Sequence, residues 1–153
     1  MNKKLKFQLL AVAMVILVAG LGSVFVSLGM DWFGGLSKPT QWIPNIVIPI
    51  VWTIVYVLTG VILWMLIKNN RMSTKLLVLF VLNGILNVLW CLTFFALNLT
   101  LIGNIIIIIN LIAGWLLWVA LIQNKTFLTY LYIIYPLWLS IATTLNLCLW
   151  ILN

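Results

Sequence analysis

The chain has no histidine, one carboxylate (Asp31) and two cysteines in 153 residues. Without imidazole there is no histidine base and no histidine metal ligand. A single acid cannot supply paired-carboxylate chemistry. Cys91 and Cys148 lie in different apolar segments and match no CxxC or Cys/His metal spacing. They read as inert buried thiols. Charge is scarce as well: 6% of residues are charged, against about 25% in a soluble domain. No water-soluble surface can be assembled from so few charges. The net charge of +7 invites a nucleic-acid reading, but that needs basic residues clustered on one solvated face. Here they sit in short gaps between apolar runs. Soluble-enzyme and nucleic-acid-binding functions are therefore excluded, and no catalytic residue or metal site is expected.

What the sequence has is grease and rings. Hydrophobic residues make up 66% of the chain, with nine Trp, four Tyr and seven Phe. A spanning helix needs about 20 mostly apolar residues. Five segments qualify: 7–28, 46–67, 76–97, 101–122 and 127–151. The expected fold is thus an all-α integral membrane protein, a bundle of five transmembrane helices forming one domain over 1–153 and embedded in the lipid bilayer. Lys3, Lys4 and Lys6 resemble a signal-peptide n-region. However, the following apolar run is longer than an h-region and lacks a clear A-x-A site, so a retained first helix is expected. The connection from Gly29 to Asn45 is the long one. It predicts a loop with room to fold over a pocket mouth.

Orientation follows from Lys and Arg. The N-terminal tail and the second and fourth loops carry Lys3, Lys4, Lys6, Lys68, Arg71, Lys75 and Lys125; the opposite side carries only Lys38. The N-terminus is therefore predicted inside and the C-terminus outside. The lack of a transit peptide suits a bacterial plasma membrane.

Polar residues at membrane depth should face the bundle interior. In the third span, Asn83, Asn87, Trp90 and Phe94 share one helical face. The second span offers Trp52, Tyr56 and Thr59, and the fifth offers Trp138, Ala142 and Asn146 with Leu145 alongside. Asn104 and Asn110 interrupt the very apolar fourth span. Intramembrane Asn commonly serves as interhelical glue, and Trp64, Trp118 and Trp150 suit interfacial anchoring. Trp52, Trp90 and Trp138 lie deeper. Three indoles would line a pocket with flat apolar walls, and Tyr56 and Asn87 could orient a ligand by hydrogen bonds.

Read as text, these stripes resemble the TspO/MBR family, the tryptophan-rich sensory or translocator proteins. The similarity runs from Trp32 to Asn153. Trp138 followed by Ala142-Thr143-Thr144-Leu145-Asn146 and Trp150 is close to the family's W-x3-A-T-x-L-N-x3-W ending. Asn83-x3-Asn87-x2-Trp90-x3-Phe94-Phe95 is similar to its Q/N-x3-N-x2-W-x3-F-F run, and Trp52-x3-Tyr56-x3-Gly60 to its W-x2-L-Y-x2-M-G run. Trp32-Phe33-x2-Leu36-x-Lys38-Pro39 resembles W-Y-x2-L-x-K-P. There are departures. Gln41-Trp42-Ile43-Pro44 keeps only the second proline of W-x-P-P, and no acid stands in the fourth span. The fifth-span proline is shifted to Pro136. Leu147 and Ile151 replace the aromatic and basic residues of the animal cholesterol motif.

The resemblance implies a five-helix bundle, usually a homodimer, with an outer-leaflet pocket under the first loop. It implies binding of porphyrins (protoporphyrin IX, haem) and benzodiazepine-type ligands, with porphyrin or haem as ligand and no required cofactor. Trp32, Lys38, Trp52, Tyr56, Asn83, Asn87, Trp90, Phe94, Trp138, Ala142, Leu145 and Asn146 are the site residues it points to. Porphyrin propionates need a cation, and Lys38 is the one on the pocket side. Rival readings are light-dependent porphyrin degradation, with Trp residues as redox partners, and a small-molecule transporter. A proton-coupled carrier would need an ionisable group at membrane depth, and the spans offer none.

Overall fold

A computed structural model describes residues 2–40 and 42–153. Five helical spans are long and apolar enough to cross a membrane. They comprise α1 (Lys3–Gly35), α2 (Val47–Lys68), α3 (Thr74–Cys91) with a π-helical turn (Leu92–Ala96), α4 (Thr100–Ile122), and α5 (Phe127–Leu131) followed by α6 (Ile134–Leu152). No β-strand occurs among the described residues. Every backbone N–H and C=O at membrane depth must be satisfied internally, and helices are the way to do so along a single segment.

The apolar faces of the helices are spent on two neighbours, bundle and lipid. On α4, Ile105, Ile108, Ile109, Ile112 and Leu116 are exposed, while Gly103, Asn104, Ile107, Asn110 and Gly114 are buried. The polar and small residues thus turn inward, as expected where lipid is as apolar as leucine and close packing drives association. A Cβ at Gly103 would lie 2.8 Å from Phe94 Cβ, and one at Gly114 would lie 2.8 Å from Leu139 Cδ1. Both glycines let neighbouring elements approach within the protomer.

The first span differs from its expected bounds. Helix α1 continues through Asp31, Trp32 and Gly35, because nothing in Gly29–Gly35 forbids helix and its Phe33 face is buried. The connection to α2 is correspondingly shorter. Helix α1 lies on the bundle's flank, burying only Gln8, Gly22, Gly29 and Phe33. On α1, Gly20 has nothing within 4 Å of where its Cβ would be. The close approach is made by Gly29, whose Cβ would overlap the Phe95 carbonyl, and by Gly22, whose Cβ would lie 3.4 Å from Cys91 Sγ.

Two breaks shape the interior. In the π turn, Leu97 N–H donates to Leu92 O at 2.9 Å, one residue further back than in an α-helix. The widened turn lets consecutive Phe94 and Phe95 both point inward. In the fifth span, the helix parts between α5 and α6 at Tyr132 and Ile133. Pro136 lacks an N–H for the Tyr132 carbonyl, and that carbonyl accepts from Tyr135 N–H at 3.0 Å instead. Pro136 sits in the first turn of α6, where proline is tolerated.

The core has two layers. The half on the side of the N-terminus, predicted to be the inner one, is mostly aliphatic, with Val55, Leu58, Ile62, Leu66, Leu117, Leu121 and Leu139 around Tyr132 and Tyr135. The outer half is aromatic, with Phe33, Trp90, Phe94 and Phe95 packed on Ile107, Ala142 and Leu149.

Candidate functional site

The outer layer is a continuous network of rings. The Trp52 ring lies 5.7 Å from Tyr56, nearly parallel to it, and 5.9 Å from Trp90. Trp90 meets Phe95 edge-on at 5.7 Å, and Trp32 meets Phe94 edge-on at 5.6 Å. Phe33 adds Phe95 at 5.4 Å and Trp42 at 6.1 Å. Such offset and edge-to-face pairs are each worth about 0.5–1.5 kcal/mol beyond the area they bury. The helical stripes deliver Trp52 with Tyr56 and Trp90 with Phe94. The added turns of α1 deliver Trp32 and Phe33.

Leu36 and Trp42 of the α1–α2 connection cover this network. Ser37 N–H donates to Asn153 Oδ1 at 2.8 Å, and Asn153 Nδ2 returns a bond to Ser37 O at 3.1 Å. The connection is thereby pinned to the end of α6. Lys38 Nζ donates to Phe33 O at 2.9 Å and to Leu36 O at 3.5 Å, and lies 4.8 Å from the Phe33 ring centroid. A cation there complements the negative end of α1 and satisfies its carbonyls. An ammonium has three donors, so one remains. Trp42 Nε1 donates to Asn45 Oδ1 at 3.1 Å. The sequence departure at Gln41 lies outside the described residues.

The polar groups divide into a satisfied set and an orphaned set. At mid-membrane, Tyr135 O–H lies 3.0 Å from Asn83 Oδ1 and 3.4 Å from Asn110 Oδ1, while Asn83 Nδ2 donates to Leu79 O. This node ties α3, α4 and α6 together. Nearer the outer layer, Trp90 Nε1, Trp138 Nε1, Asn87 Oδ1, Asn146 Nδ2 and both polar atoms of Asn104 are buried without a partner, as is Asn110 Nδ2 at the node. An orphaned buried donor or acceptor costs about 1–3 kcal/mol. Natural proteins keep such groups few, so a concentration of them in one layer marks a place where a guest can be hydrogen-bonded.

Apart from Lys38, the expected site residues fall into three groups. Trp32, Trp52, Tyr56, Trp90 and Phe94 come together as rings, with Ala142 against them from α6. Asn83 belongs to the mid-membrane node. Asn87, Trp138 and Asn146 supply buried unpaired atoms, and Leu145 is half-buried. The network's ring contacts include Trp32, Trp42, Trp52 and Trp90 but not Trp138. Of the three indoles expected to line one wall, Trp52 and Trp90 are in ring contact. The region expected to be a pocket is filled by rings in contact, because Trp32 and Phe33 arrive on the lengthened α1. Four further residues belong to the layer: Phe33, Trp42, Phe95 and Asn104. The only sequence signal for Asn104 was its polarity within a run of isoleucines.

A cavity of about 910 Å³ lies instead toward the N-terminal side, between α1, α2, α3 and the α5–α6 break. Tyr56, Asn83 and Asn87 border its deep end.

Comparison with known proteins adds a family. A family model described as TspO/MBR family matches residues 10–151. The chain is similar to a protein named Tryptophan-rich protein TspO of Archaeoglobus fulgidus, 29% identical over 149 residues that cover 95% of this chain and 97% of that one. It is 28% identical over 158 aligned residues to a Tryptophan-rich protein TspO of Chlorobaculum tepidum, covering 100% and 99%. It is 27% identical over 126 residues to Protein CrtK of Rhodobacter capsulatus, covering 80% and 78%.

Proposed function

This chain belongs to the TspO/MBR family, and on that premise we propose that it is a membrane sensor-type receptor. Its ligand is a porphyrin (protoporphyrin IX or haem), bound in the aromatic outer layer beneath Leu36 and Trp42 of the first connection. The observation that carries this reading is the coincidence of contacting rings with unpaired buried donors: Trp90 Nε1, Trp138 Nε1 and Asn146 Nδ2. A porphyrin is a flat aromatic disc with two anionic propionates. Its faces gain from stacking on indoles. Its carboxylates accept hydrogen bonds, including from the remaining donor of Lys38 at the mouth.

Entry requires the rings to part and the cover to lift. That cover is held by the two bonds to Asn153 and the tether of Lys38. The sensing step, in this reading, is the exchange of ring-on-ring contacts for ring-on-ligand contacts. A homodimer, which the family resemblance suggests, is compatible with the apolar face that α4 leaves outward.

The test is a titration of the purified protein with protoporphyrin IX, followed by tryptophan quenching and porphyrin absorbance. Saturable quenching with one ligand per chain supports the reading. Quenching that rises without saturation, and is equal in Trp90→Phe and Trp138→Phe variants, refutes it. Illumination of the complex distinguishes light-dependent degradation from binding alone: porphyrin bands that fade only with protein present, and not in a Trp52→Phe/Trp138→Phe variant, would assign a reaction.

A further inference from the structure

The inner cavity has features the aromatic layer does not share. Its mouth is formed by Asn2, Lys3 and Lys4 of α1 with Asn70 and Met72 of the α2–α3 connection. Its flanks are Leu10 and Met14 on α1 and Leu77 and Val81 on α3. These four side chains are exposed on the lipid surface as well as lining the cavity. The gap therefore opens sideways between α1 and α3 into the inner leaflet. Its lining on α1 runs from Asn2 to Val18, about 24 Å at 1.5 Å per residue. One leaflet's share of the hydrocarbon core is about 15 Å, so the cavity reaches from head-group level to the membrane midplane.

The charge at the mouth is uncompensated. Lys3 is exposed, and no acid stands in the first turn of α1. Asp31, the chain's one acidic side chain, lies near the opposite end of the same helix. The positive end of the α1 dipole adds to the two ammonium groups. Lys4 Nζ donates to Lys68 O at 3.2 Å and Gln8 Nε2 to Trp64 O at 3.2 Å. These bonds hold the lower part of α1 against α2 and leave the α3 side apart. At the deep end the polar groups are engaged with one another, Tyr135 with Asn83 and Thr59 with Tyr132. Asn87 Oδ1 is the exception, buried without a partner. The deep wall otherwise presents ring and aliphatic surface to a guest.

We propose that this cavity is a second ligand site, which takes an acyl chain of an anionic inner-leaflet phospholipid, with the phosphate at Lys3 and Lys4. The chain fills the apolar gap between α1 and α3 and packs on Val55, Leu63 and Phe80. The site lies below the Tyr56–Asn87 level, and the aromatic layer lies above it. Occupancy fastens the lower half of α1 to α3.

The test is native mass spectrometry of the full-length protein released from a neutral detergent, after titration with phosphatidylglycerol or phosphatidylcholine of equal chain length. We expect one retained phosphatidylglycerol per chain, held at least tenfold more tightly than phosphatidylcholine. Lys3→Gln/Lys4→Gln abolishes the preference between the two lipids. Ala11→Trp, which fills the gap, abolishes retention of both, and Met14→Trp serves if Ala11→Trp does not fold. Lys125→Gln, an inner-side cation away from the cavity, leaves retention unchanged. Equal retention in the cavity variants and wild type overturns the proposal. So does a loss in Lys125→Gln as large as in the lysine pair, which would mean surface charge alone. Displacement of phosphatidylglycerol by equimolar palmitate also overturns it, in favour of a free carboxylate. Protoporphyrin binding is measured in parallel and stays unchanged in Ala11→Trp, so failure of either site is visible separately.

Discussion

Asn104 offers the sharpest test of the orphaned layer. It is 2% exposed, and neither its Oδ1 nor its Nδ2 has a partner. Leucine has the same number of side-chain heavy atoms and is apolar, so Asn104→Leu removes two stranded groups without opening a void. Each stranded group costs about 1–3 kcal/mol. The lower part of that range applies in a membrane, where the unfolded chain finds alternative partners. The ligand-free variant should be more stable by about 1–2 kcal/mol. At about 2–4 °C per kcal/mol for a chain of this size, the melting temperature in detergent rises by about 2–8 °C. If the amide serves the ligand, the same substitution weakens protoporphyrin binding, by up to about tenfold for 1.4 kcal/mol. Stability and affinity therefore move in opposite directions. Asn110→Leu is the control. Its Oδ1 lies 3.4 Å from the Tyr135 hydroxyl, so the gain from removing Nδ2 is offset and the melting temperature barely moves. A ligand-free Asn104→Leu protein that melts below wild type, with unchanged porphyrin affinity, would show that the amide is structurally satisfied and the reasoning wrong.

Other outcomes follow from the same geometry. Trp52→Phe and Trp138→Phe should each weaken protoporphyrin binding about tenfold, roughly 1.4 kcal/mol; unchanged dissociation constants in both move the site elsewhere. Lys38→Ala should weaken porphyrin more than a neutral benzodiazepine-type ligand, measured by competition, because only the former presents carboxylates; equal losses would reduce Lys38 to its tether on Phe33 O. Gly29→Val should lower the melting temperature strongly, since even a Cβ overlaps the Phe95 carbonyl, whereas Gly20→Val, facing open space, should be near neutral. Similar melting temperatures for both variants would mean α1 does not pack as described.

Much of the architecture was legible because hydropathy is a local property. The five spans could be counted from apolar runs alone, since bilayer thickness sets their length. The inward faces could be read from Asn83, Asn87, Trp90 and Phe94, since a polar group in lipid has nowhere else to go. What failed was the end of α1. Asp31, Gly34 and Gly35 suggest a loop, yet they remain helical because Phe33 is buried against Trp42 and Phe95. The π turn was equally invisible, since Leu92–Ala96 has no residue that demands it; the close approach of Gly29 accompanies it.

By itself the sequence determined the class, the number of spans, the charge bias between the two sides of the membrane and which helical faces carry rings and amides. These follow from transfer free energies and the 3.6-residue period, properties of one segment at a time. Tertiary structure alone decided that Trp52 meets Tyr56 and Trp90 while Trp138 joins no ring contact in that network. It also decided that Asn104 and Asn146 end without partners, and that open space lies beside Lys3 rather than beneath Lys38. Those outcomes depend on the rotation and depth of each helix against its neighbours, which packing between segments sets and no single segment encodes.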